Sequence, residues 1–150
     1  MAHLRARRKA GRSSVYVRAK RQGGRTYHYL VTSERRGGRV CQKTVAYLGA
    51  YPSLAAALER LPGRIEHYRA LALRCSQKAD AAKTRCHPAW LERNGGEVPN
   101  ERRRGVRLRD DPTKQYWTFT EMATAFEQRS RGLSARLAKL RALSEKKGVL

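Results

Sequence analysis

Two near-identical glycine turns constrain this chain more than any other feature. Arg21-Gln-Gly-Gly-Arg25 and Arg35-Arg-Gly-Gly-Arg39 separate three runs rich in β-branched and aromatic residues, Ser14–Lys20, Arg25–Ser33 and Arg39–Leu48. A Gly-Gly pair supplies the positive φ angles of a two-residue hairpin turn. Two such turns between three strand-like runs predict a three-stranded antiparallel meander over residues 13–49.

Two-residue turns also set the register, and the register sorts the side chains. A tip at Gly23-Gly24 places Val17 opposite Leu30 and Arg18 opposite Tyr29. A tip at Gly37-Gly38 places Leu30 opposite Val45 and Tyr29 opposite Ala46. One face then holds Val15, Val17, Ala19, Leu30, Val45 and Tyr47, which suits a core. The other holds Tyr16, Arg18, Lys20, Tyr27, Tyr29, Gln42 and Thr44, and is basic, hydrogen-bonding and aromatic.

After Gly49 the periodicity changes. Ser53 suits a helix N-cap. Leu58, Leu61, Ile65, Tyr68, Ala72, Cys75, Ala79 and Ala82 then step by three and four, as a heptad seam does. Pro62-Gly63 interrupts the seam, so the expectation is a short helix over 53–61 and a second over about 63–84. Residues 85–112 lose the period, carry Pro88, Gly95, Gly96, Pro99 and Gly105, and read as a long basic loop. The step returns over about 113–147 through Tyr116, Phe119, Ala123, Phe126, Ser130, Leu133, Leu137, Leu140 and Ser144, with Asp111 before Pro112 as its start. Two seams joined by a loop imply an antiparallel helical hairpin, small Ala72, Ala79 and Ala82 facing bulky Tyr116, Phe119 and Phe126. The competing use of a seam is homodimerisation or a protein partner.

The expected class is therefore α+β: a three-stranded antiparallel β-meander backed by a helix, then a long antiparallel, coiled-coil-like helical hairpin. It divides into a disordered basic arm (1–12), a β-β-β-α nucleic-acid-binding module (13–61) and the hairpin (62–150) with its basic loop at 85–112.

Charge narrows the function. The 34 Lys and Arg residues against 12 acids give +22. A surface of one sign calls for a polyanionic partner. Of the basic residues 25 are Arg and 9 are Lys; Arg forks onto phosphates and guanine edges where Lys is a point charge. Residues 1–50 hold thirteen basic residues and one acid, Glu34. No apolar run is long enough for a transmembrane helix, so a membrane is not the expected partner. Cys41, Cys75 and Cys86 are an odd number at unpatterned spacing, which fits a reducing, cytoplasmic or nucleoid setting.

A basic antiparallel ribbon fits the major groove and reads base edges with its outer side chains. Arg18 and Arg25 match guanine, Gln42 matches adenine, and Thr44 matches the thymine methyl. Lys20, Arg21, Arg35, Arg36, Arg39 and Lys43 suit phosphates, as do Arg5, Arg7 and Arg8 of the arm and Arg102, Arg103 and Arg104 of the loop. Tyr27 and Tyr29 would stack bases of single-stranded RNA instead. Double-stranded DNA is favoured. A ribonucleoprotein component binding structured RNA and a coiled-coil protein-interaction module remain open.

Catalysis finds no foothold. Cys75, Cys86, His87 and His67 lack the local pairs of a zinc site, no Gly-rich phosphate loop precedes a helix, and adjacent Cys86-His87 points its side chains apart. No cofactor or metal is expected.

Ser14-Val-Tyr-Val-Arg-Ala-Lys20, Tyr27-His-Tyr-Leu-Val31 and Arg39-Val-Cys-Gln-Lys-Thr-Val-Ala-Tyr-Leu-Gly49 together resemble the N-terminal segment of some insertion-sequence DDE transposases. Those begin with a Tyr-containing strand, a second strand of Gly-Lys-x-Arg-Gln type and a terminal Leu-Gly. The resemblance covers about residues 14–60. It implies a DNA-binding accessory region and brings no catalytic residues, since no RNase-H-like βαβ pattern follows. Three strands and a helix are also similar to the arm-binding domains of tyrosine recombinases and to plant ethylene-response domains, in architecture alone.

Overall fold

The computed structural model describes residues 14–36, 39–99, 108 and 111–147. Three strands, β1 (Ser14–Gln22), β2 (Arg25–Arg36) and β3 (Arg39–Gly49), precede three helices, α1 (Leu54–Lys83), α2 (Pro88–Arg93) and α3 (Pro112–Lys147). The strands form one antiparallel sheet in the order β1-β2-β3. The α+β class and the meander are as expected. The described residues fall into two compact units, one from 1–59 with 139–150 and the other from 60–138.

Gly23 and Gly24 take φ of 56° and 73°, so both central residues of the first turn occupy the left-handed region. The turn fixes the β1–β2 register, with Val17 opposite Leu30 and Arg18 opposite Tyr29, as expected. Gly37 and Gly38 lie outside the described residues. The β2–β3 ladder runs in its expected register from Arg36 opposite Arg39 to Val31 opposite Thr44.

Beyond Val31 the expected register fails. It shifts between Leu30 and Val31 and again between His28 and Tyr29. Each shift puts one extra residue into β3, as a β-bulge does. Leu30 therefore faces Ala46 rather than Val45, and Tyr29 faces Tyr47 rather than Ala46. Tyr47 moves to the outer face and Ala46 replaces Val45 over the core.

The first unit buries Leu30, Ala46, Leu48, Tyr51, Leu54, Ala57 and Leu140. His28, half-buried, donates from Nδ1 to the Gly49 carbonyl at 3.3 Å and ties the end of β3 to β2. The Ser53 hydroxyl accepts the Ala56 N–H at 3.1 Å and caps the start of α1.

α1 then runs unbroken through Pro62, where an interruption was expected. Proline removes one intrahelical donor, at a cost of about 3 kcal/mol. Buried Leu61 and Ile65 on either side of it outweigh that loss. Leu61, Ile65, Ala72, Cys75, Ala79 and Ala82 of the first seam are all buried, as are Ala123, Ser130 and Leu137 of the second. Within the second unit Tyr68 stacks on Phe126 with ring centroids 6.1 Å apart. Lys78 lies 5.4 Å over the Phe119 ring, and Arg85 donates to Gln115. The pairing climbs one helix as it descends the other, so α1 and α3 run antiparallel. The Asp111 carboxylate caps α3, accepting the backbone N–H groups of Thr113 and Lys114 at 3.0 and 3.2 Å.

Residues 85–99 are more ordered than a loop. Pro88 opens α2, and Gly95 and Gly96 close it in the left-handed conformation, the Gly96 N–H reaching the Leu91 carbonyl at 2.8 Å. Cys86 and Val98 are buried, and the Trp117 indole donates to the Pro99 carbonyl at 3.1 Å. The segment was missed because one and a half turns are too few to show a period. None of the described helices is long and apolar enough to cross a membrane.

Candidate nucleic-acid interface

Strand alternation and the observed register assign every outward position of the sheet. β1 presents Tyr16, Arg18, Lys20 and Gln22. β2 presents Arg25, Tyr27, Tyr29, Val31, Ser33 and Arg35. β3 presents Val40, Gln42, Thr44 and Tyr47. Among the described residues this face carries four cations and no carboxylate; Glu34 points to the opposite side. A sheet face whose only role was to be solvated would ordinarily mix its signs.

The Arg18 guanidinium donates from Nη1 to Gln42 Oε1 at 2.9 Å. The bond runs from the edge opposite Tyr29 to the edge opposite Ser33, and so passes over Val31. Val31 is only 3% exposed although it points outward. The bond also changes the expected role of Gln42. Reading adenine takes both the amide oxygen and the amide nitrogen, and the oxygen is held by Arg18. Gln42 presents its N–H donors, and Arg18 retains its remaining ones.

The aromatic residues gather toward the first turn. Tyr47 lies with its ring centroid 5.1 Å from Tyr29 and 6.3 Å from Tyr27, at interplanar angles of 42° and 38°. Lys20 stands opposite Tyr27 and Arg18 opposite Tyr29. β3 ends at Gly49, opposite His28. The β1–β2 tip therefore reaches past it as a two-stranded ribbon carrying Lys20, Arg21 and Arg25, all exposed.

The remaining residues expected to bind nucleic acid divide by place. Arg35 points outward, but at the far end of β2, ten residues from Arg25 and so roughly 33 Å away along the strand. Arg21, Arg39 and Lys43 are exposed yet alternate to the other face. Arg36 pairs with Arg39 through the backbone. Thr44 is exposed on the outer face beside Val31. The phosphate-directed cluster is thus split between two ends and two faces. Arg5, Arg7, Arg8, Arg102, Arg103 and Arg104 lie outside the described residues.

Sequence reasoning missed Tyr47. A signal was present: Val45-Ala-Tyr-Leu48 is four apolar residues in a row, which a strand with one wet face cannot accommodate by alternation. A bulge resolves it.

Comparison with known families bears on the same stretch of chain. Residues 15–80 match the IS1634 family transposase, N-terminal domain. The matched segment takes in all three strands and nearly all of α1. It reaches further than the resemblance seen in the sheet sequence alone, and it ties the sheet with its following helix to the N-terminal domain of a mobile-element transposase. No curated protein and no solved structure matches the chain.

Proposed function

We propose that this protein is a non-catalytic, mobile-element-associated DNA-binding protein that reads double-stranded DNA with the outer face of its sheet. The observation that carries the reading is the composition of that face: Arg18, Lys20, Arg25 and Arg35 outward with no acid among them, on a ribbon of the width a major groove accepts. The match to a transposase N-terminal domain supports DNA as the polyanion. Arg18 and Arg25 supply forked donors for guanine O6 and N7, while Lys20 and Arg35 act on phosphates. Thr44 offers a methyl to thymine. Gln42 orients Arg18 and donates from its amide nitrogen.

The test is duplex affinity as a function of salt. Each neutralised phosphate contributes about −0.9 to the slope of log affinity against log salt, so the phosphate contacts of Lys20 and Arg35 give a slope of about −2. Exchanging Arg18, Lys20 and Arg25 together for alanine should weaken binding by roughly a hundredfold and make the slope shallower by about 1. Unchanged affinity and slope in that variant would remove the sheet from the interface.

A further inference from the structure

At the β1–β2 end of the outer face lies an open depression of about 540 Å³, lined by Gln22, Gly23, Arg25, Tyr27, Tyr29 and Tyr47. Groove readout of a duplex has no use for it, because paired bases show the groove their edges and keep their faces stacked. The depression offers the reverse. Tyr47 is tilted against Tyr27 by 38° and against Tyr29 by 42°, and it is 40% exposed. Gly23, at φ 56°, has open space where a Cβ would stand.

Aromatic faces with a cationic rim are how proteins hold unpaired bases: the base stacks, and the adjoining phosphate meets the cation. Here Tyr27, Tyr29 and Tyr47 are the platform. Arg25 beside them and Lys20 opposite Tyr27 are the rim. Gln22 brings an amide that both donates and accepts, as a base edge requires. The place also matters. The depression is at the ribbon's tip, where β2 has passed the end of β3, while Arg18 and Gln42 occupy the middle of the same face. A strand gripped at the middle would leave the duplex near the tip.

We propose that this depression receives an unpaired base next to a DNA duplex, so that the protein prefers a duplex with a single-stranded extension to a blunt one. The proposal rests on duplex binding by the same face. On such a probe the platform stacks the extrahelical base, Arg25 and Lys20 hold its phosphate in place of their contacts to paired DNA, and Arg18, Gln42 and Thr44 stay on the duplex.

The experiment compares full-length protein on three probes of one sequence: a blunt duplex, the same duplex with a short DNA overhang carrying a fluorescent adenine analogue, and its counterpart with an RNA overhang. Wild type should bind the DNA overhang about tenfold more tightly than the blunt duplex, and stacking should quench the analogue. The Tyr27→Leu, Tyr47→Leu pair keeps apolar bulk and loses two π-faces. It should lose the preference and the quenching while holding blunt-duplex affinity within about twofold. The Tyr27→Phe, Tyr47→Phe pair should retain both. Equal wild-type affinity for blunt and DNA-overhang probes would overturn the proposal and leave duplex binding standing, as would quenching that survives in the leucine pair. Failure of wild type to bind the blunt duplex would overturn the duplex reading and this proposal with it. Tighter binding to the RNA overhang would overturn the assignment to DNA. The wild-type comparison decides the matter even if the leucine pair fails to fold.

Discussion

Leu48 and Tyr47 are neighbours in β3 with opposite fates. Leu48 is completely buried, whereas Tyr47 is 40% exposed on the aromatic face. The bulges around them decide which goes where, so the core residue holds the site residue in place. Truncating Leu48 to alanine should cost about 2–5 kcal/mol in denaturant-induced unfolding. It should also loosen the Tyr29–Tyr47 pair, which near-ultraviolet dichroism would register as a weakened tyrosine signal. A loss under about 1 kcal/mol would mean that the β3 bulges are not anchored by the core. Arg18 shows a related economy. Its bond to Gln42 spans β2 and fixes the guanidinium before any ligand arrives.

At the scale of elements, the parts legible in the sequence are those governed by strictly local rules. Gly23-Gly24 announces a turn because few other residues tolerate two successive positive φ angles, and β1–β2 pairing follows from it. The α1 and α3 seams were legible because a step of three and four persists over many turns, and their residues are largely buried. The β3 register was legible only as far as the first bulge. A turn propagates register outward, but a bulge restarts it, and bulges are chosen by what the core needs: Ala46 and Leu48 inward, Tyr47 outward. The same distinction explains Pro62. Local rules forbid proline within a helix, and packing of Leu61 and Ile65 overrides them. Exchanging Pro62 for alanine should accordingly stabilise the protein by about 1–3 kcal/mol, seen as a raised thermal midpoint. A lowered midpoint would show that the proline is required by the packing and is not merely tolerated. For the candidate site, Tyr27, Tyr29, Arg18, Lys20 and Gln42 were legible by alternation alone. Tyr47 was not, and with it the depression could not have been foreseen.

For the whole molecule, the net charge of +22 is unevenly placed. Residues 1–50 hold thirteen basic residues and one acid, while residues 51–150 hold twenty-one and eleven. In the helices some of that charge is paired or rests against rings, as in Arg69 with Glu66, Arg131 with Glu127, and Arg129 over Tyr68 and Phe126. On the outer face of the sheet the cations have no carboxylate beside them among the described residues, and hydrogen-bonding and aromatic groups sit between them. That contrast is what the sheet reading rests on. The measurement that reaches the claim most directly is a titration of the labelled protein with duplex DNA, followed through backbone amide shifts. The sheet reading predicts the largest changes at Arg18 and Lys20 of β1, at Arg25 and Arg35 of β2, and at Gln42 and Thr44 of β3, with α1 and α3 little moved. Changes confined to α1, α2 and α3, with the sheet amides unmoved, would contradict it.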